Sequence, residues 1–312
     1  MHKTIAISLA AFMAGTAGAF AAEPESCKTV RFSDVGWTDI TATTAVASVV
    51  LEGLGYTADV KVLSVPVTYT SLKNNDIDVF LGNWMPAQEK DVKPYLDEKT
   101  VDSVGVNLEG AKYTLATNAK GAELGIKDFS DIGTHKDALE GKIYGIEPGN
   151  DGNRLVMTLI EKNEMNMGGL EVVESSEQGM LAQVARADKD GKPVVFLAWE
   201  PHPMNSSFKL TYLTGGDSTF GPNYGGATVY TNTRAGYVGE CPNVGKFLTN
   251  LKFTLQMENE IMGKILNDGE DPEKAAADWL KANGAAIDPW LAGVTTVDGG
   301  DGLAAVKAKL GL

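Results

Sequence analysis

The tightest constraint on the fold lies in residues 29–53. Val30, Phe32 and Val35, interspersed with polar residues, read as a strand; Gly36 ends it, and TDITATTAVASVVLEGLG continues as a helix to about Gly53. A strand that turns directly into a helix presents Trp37 and Asp39 at its carboxyl end, where open α/β sheets hold their ligands. A large aromatic face beside a carboxylate suits a cation, because ring quadrupole and negative charge both attract it. The same residues also fit a plainer reading, with Asp39 as a first-turn or capping acid and Trp37 as core. The local pattern leaves both open.

The rest of the chain repeats the arrangement. TADVKVLSV reads as a second strand, Val67–Asn75 as a short helix, and DIDVFLGNW as a third strand that delivers Trp84. Residues 101–116 are β-rich, with Tyr113 near the middle. KIYGIEPGN reads as a strand reaching Gly149–Asn150, and Asp151 caps a helix DGNRLVMTLIEKNEM. LEVVESS is a strand, SEQGMLAQVARADKDGK a helix and turn, and PVVFLAWEPHPM an apolar strand ending at Trp199. From Pro242 the chain is mostly helical, and Trp279 and Trp290 read as packing residues. Strands alternating with helices predict an α/β fold with mostly parallel sheets and flanking helices.

The ends bound the class of protein. The N-terminus has Lys3, an apolar run, and Ala19 and Ala21 in an A-x-A pattern, which predicts a secretory signal over residues 1–21. The remaining 290 or so residues suffice for two lobes. The two cysteines, Cys27 and Cys241, form an even pair in an exported chain and read as one disulfide. That bond returns the C-terminal third to the first strand. The chain then enters lobe one (22–113), crosses to lobe two (114–212) and returns (213–312). Two crossings make a hinge, and the cleft between lobes is a favoured ligand site.

Several functions are disfavoured. A net charge of −14, more negative still without Lys3, argues against nucleic acid and anionic lipid. No G-x-S-x-G, H-E-x-x-H, C-x-x-C or nucleotide-binding glycine pattern occurs, so no enzyme activity, metal or cofactor is expected. DKDG at 188–191 reads as a turn.

Taken together, the export signal, the two-crossing layout, DVGWTDI, DVFLGNWMPA and VFLAWEPHPM resemble substrate-binding proteins of bacterial ABC importers for quaternary amines, nearest to the choline-binding branch of the glycine betaine/choline group. The resemblance spans essentially the whole chain after the signal. It implies a type II periplasmic-binding-protein fold and a periplasmic monomer that works with a permease and an ATPase. It also implies a cage of Trp37, Trp84, Tyr113 and Trp199 around a trimethylammonium group, with Asp39 as acidic partner and Asn150 at the hydroxyl end. The Cys27–Cys241 pairing agrees with it. Choline is the implied ligand; acetylcholine and betaines are the nearest alternatives. A betaine carboxylate needs donors, for which His202 and Arg154 are candidates, whereas an acid facing it is repulsive. A polyamine needs acids at both ends, and only Asp39 stands out from the sequence. An exported choline-ester hydrolase is the rival from another class, with His202 as its one plausible base.

Overall fold

The computed structural model describes residues 23–312, so the predicted signal lies outside the described residues. Nine strands form one mixed sheet: β1 (Thr29–Asp34), β2 (Thr57–Val62), β3 (Val79–Met85), β4 (Val101–Asn118), β5 (Lys142–Tyr144), β6 (Glu171–Val173), β7 (Val195–Glu200), β8 (Leu210–Tyr212) and β9 (Gly226–Arg234). Their order is β2-β1-β3-β9-β4-β7-β5-β6, with β8 alongside β4.

The sheet is parallel at its two ends and antiparallel in the middle. β1 pairs β2 and β3 in parallel, as β5 pairs β6 and β7. The central ladders run antiparallel because the chain crosses along β4 and comes back along β9. β4 is 18 residues long. It pairs β9 over Val101–Lys112 and then β7 over Lys112–Thr117, so one strand serves both ends of the sheet.

The helix Thr38–Gly53 is buried along nearly its whole length. It packs under helices Leu255–Leu266, Pro272–Ala282 and Gly302–Leu310. That is why it carries Ala, Val and Thr on every face and lacks a polar one. The apolar stretch after Pro242 forms two helices, Pro242–Asn250 and Leu255–Leu266. They part where the Phe253 N–H donates to the Asn107 carbonyl and Thr254 caps the second helix. Trp290 is buried and donates to the Lys252 carbonyl, and the half-buried Trp279 donates to Glu260, so both act in packing.

The β5 strand stops at Tyr144, earlier than the sequence pattern predicts. The Asn153 side chain bonds both the N–H and the carbonyl of Ile146; that carbonyl also accepts from the Ser175 N–H at 2.8 Å, but the Ile146 N–H pairs with the side chain and not with a strand. Residues 145–149 therefore form a fixed loop leading into the helix Asp151–Glu161.

Cys27 and Cys241 are bonded, with Cα atoms 5.6 Å apart. Beside them the buried Asp78 accepts from Arg31 (2.8 and 2.6 Å) and Arg234 (2.7 Å), and Arg234 also meets Glu240. Burial pushes the Asp78 carboxyl up, but the two guanidinium partners outweigh it and hold it below the usual range. β1, β3 and β9 are thus tied together at one corner. Replacing both cysteines by serine is expected to lower unfolding stability by about 2–4 kcal/mol. Denaturant titration measures this. Ligand affinity should stay unchanged, because neither cysteine lines the cavity described next.

Candidate functional site

Gly36 adopts φ +80°, a left-handed turn conformation open to glycine at little cost. The Asp34 carboxylate accepts from the Gly36 N–H and the Thr41 hydroxyl, both at 2.7 Å, and so fixes the turn. Trp37 takes the N-cap position of the helix without a side-chain cap bond, and its indole N–H donates to Glu147 at 3.0 Å. Asp39 lies in the first helical turn and does not cap the helix. Its Oδ2 accepts from Trp84 Nε1 at 3.2 Å, and its Oδ1 has no hydrogen-bond partner.

Tyr113 on β4 stands directly opposite Trp199 on β7. Their rings meet edge-to-face at 6.2 Å and 83°. Tyr113 makes a similar contact with Trp84 at 6.2 Å, and Phe220 backs it at 5.8 Å. Its hydroxyl donates to Asn150 Oδ1 at 2.8 Å. The same oxygen accepts from the Gly152 and Asn153 N–H groups, so Asn150 is the N-cap of the helix Asp151–Glu161. This corrects the expectation that Asp151 caps it. Gly152 has to be glycine here: a Cβ would lie 2.1 Å from the Tyr113 hydroxyl oxygen.

Trp37, Asp39, Trp84, Tyr113, Ile146, Asp151 and Trp199 line a small cavity, with about 20 Å³ of free space between them. Five of the six predicted ligand residues form its wall. Asn150 sits behind Tyr113, with its Nδ2 toward Glu147 and Asp151. Asp151 takes the wall position, fully buried, with its Oδ2 unpartnered. Among the described residues, no lysine, arginine or histidine lines the cavity. Arg154 makes a two-point ion pair with Asp91 at 2.8 and 2.6 Å. His202 lies behind Trp199 at a ring distance of 4.8 Å and bonds Glu177 at 3.2 Å.

Local sequence missed Asp151, Glu147 and Glu177. Asp151 had a signal: its strand–glycine–polar–helix context repeats that of Asp39. Glu147 and Glu177 had none, since their partners are 110 and 139 residues away.

A nine-stranded sheet with crossing central strands, and a cavity of rings and acids at the crossing, define a solute-binding protein of the two-lobe periplasmic type. Residues 28–282 match the family described as the substrate-binding domain of the ABC-type glycine betaine transport system (OpuAC), and the chain belongs to that family. The structure is similar to an ABC-transporter choline binding protein in complex with choline, with TM-score 0.92 and 76% identity over 92% of this chain and 100% of the other. It is also similar to an ABC-transporter choline binding protein in an unliganded semi-closed conformation, with TM-score 0.85 and 76% identity over the same shares. A stretch making up 49% of this chain is 50% identical to an uncharacterized protein, ORF1, of Chromohalobacter salexigens, over 96% of that protein.

Burial drives the Asp151 carboxyl up to about 7, with Asp91 adding to the effect, and drives Asp39 well above the usual aspartate range, with Glu177 adding to it. A folded-state value above the unfolded one of about 3.9 contributes stability that is fully present below 3.9 and lost as pH rises through the folded value. Thermal unfolding of the free protein should therefore show this contribution fade as pH rises toward and past about 7. Affinity for any cation in the cavity should move the opposite way, weakening as pH falls through that value. Calorimetry across the range checks both signs.

Proposed function

We propose that this chain captures choline in the cavity and delivers it to the permease and ATPase of an ABC importer. The observation that carries this is the wall itself: four aromatic residues and two carboxylates, Asp39 and Asp151, each with one unpartnered oxygen, and, among the described residues, no basic side chain. A quaternary ammonium has no N–H donors, so hydrogen bonds cannot hold it, but aromatic faces can, at roughly 0.5–2 kcal/mol per ring when desolvated. Four rings with methyl burial can reach the roughly −8 kcal/mol of a micromolar binder after association costs.

Trp37, Trp84, Tyr113 and Trp199 surround the trimethylammonium group, and Asp39 faces its charge. The choline hydroxyl donates to Asp151 Oδ2, while Asn150 holds the Tyr113 hydroxyl. Arg154 and His202 are engaged elsewhere, which leaves a betaine carboxylate facing two acids. The similarity to a choline binding protein at 76% identity supports the same ligand.

Lobe one comprises residues 22–113 and 213–312, and lobe two residues 114–212. The change of β4 partner at Lys112 supports the first boundary. Ligand touches both lobes and so favours their closure. The protein acts in the periplasm after removal of residues 1–21; the signal pattern and the disulfide support this. It performs no chemistry on its ligand.

Calorimetry with choline and glycine betaine tests the assignment. Choline should bind at least about tenfold more tightly than betaine, a gap of at least 1.4 kcal/mol. Trp199→Ala and Asp39→Asn should each weaken choline binding by about 10- to 100-fold. Equal or tighter betaine binding, with Asp39→Asn harmless, would make this a betaine binder.

A further inference from the structure

Glu177 opens the helix Glu177–Asp190, and its side chain has no exposure to solvent. A carboxylate so buried is tolerated only when its oxygens are well satisfied. It has three donors. The Thr38 N–H and hydroxyl donate at 2.8 and 2.5 Å, and His202 Nε2 lies at 3.2 Å. His202 Nδ1 accepts from the Met204 N–H at 2.9 Å, which leaves the ring proton on Nε2, facing Glu177.

Thr38 is the residue between Trp37 and Asp39, both on the cavity wall. It also begins a 16-residue helix, whose positive end favours the carboxylate. On its other side Glu177 holds His202, whose ring meets Trp199 at 4.8 Å and 68°. One buried carboxylate thus connects two of the four rings and the facing acid without touching the cavity. The connected groups come from opposite lobes as divided above.

We infer that Glu177 is a positioning residue for ligand binding. It holds the Trp37–Asp39 segment and, through His202, Trp199 at the spacing that grips a quaternary ammonium. Its bonds to Thr38 form only when the lobes are closed, so it also slows ligand release. This rests on the cage reading of the cavity and on that lobe division.

Tetramethylammonium and choline separate this role from others, because tetramethylammonium meets the rings alone and has no hydroxyl for Asp151. The mature wild-type protein should bind both. Glu177→Ala should weaken both by the same factor, about 10- to 100-fold, the range for loss of hydrogen bonds to a buried charge. Release of choline in stopped flow should quicken. Glu177→Gln, which keeps one acceptor oxygen, should recover part of the loss. Thr38→Val, a milder change that removes only the hydroxyl, should weaken both ligands by about tenfold. It should add little on top of Glu177→Ala.

Wild-type affinity for both compounds in Thr38→Val and Glu177→Gln would overturn the positioning role, even if unfolding temperatures fall. So would losses that add independently in the double variant. Wild-type protein that binds neither compound would overturn the cage reading, and this inference with it.

Discussion

Two aspartates, each with one buried oxygen that meets no donor among the described residues, face a small cavity whose other walls are indole, phenol and isoleucine. Burying a carboxylate without satisfying it costs several kcal/mol, and the group escapes that cost by holding a proton or by meeting a cation. The upward push on Asp39 and Asp151 is the first of these escapes. The second is what the rings are arranged for. Aromatic faces attract positive charge but offer no hydrogen bonds, so they suit a cation that needs none. The rest of the architecture holds these two kinds of group face to face.

The crossing strand does most of that work. Tyr113 and Trp199 are 86 positions apart in the chain, yet they stand directly opposite in the β4–β7 ladder. A shift of one residue in the register of β7 would turn Trp199 to the other face of the sheet, away from Tyr113. Trp84 comes from β3, on the other side of β9, and Trp37 from the turn after β1. Phe220 and Asn150 then fix Tyr113 from behind and from its hydroxyl end. Helix N-termini carry the two wall acids: Asp39 sits in the first turn of one helix and Asp151 at the first position of another. Backbone N–H groups there favour negative charge, which offsets part of the burial cost.

Much of this was legible along the chain. The alternation ending at Gly36 and the helix beyond it identify a strand–turn–helix unit, and Trp37, Trp84 and Trp199 each follow from where such a unit ends. The cysteine pair was legible from its even count. Other features were not. The central strands look like their parallel neighbours, because a strand's own pattern does not say which way its partner runs. Asp151 looked like a cap because Asn150, one residue earlier, is an equally good capping residue, and only coordinates show which side chain turns back to the helix N–H groups. Arg154 and His202 looked free for a ligand carboxylate until Asp91 and Glu177 were found beside them.

The sequence by itself determined the class of fold, the cysteine pair and the aromatic residues of the cavity wall, because these depend on local period, composition and motif. Tertiary structure alone decided which acids face the cavity and which are neutralised by partners. It also decided which ring each remote carboxylate braces. Those outcomes depend on contacts between residues more than 100 positions apart, as from Trp37 to Glu147 and from Thr38 to Glu177. A carboxylate's role is set by the donors within about 3 Å of it, and no local pattern records what a distant segment brings there.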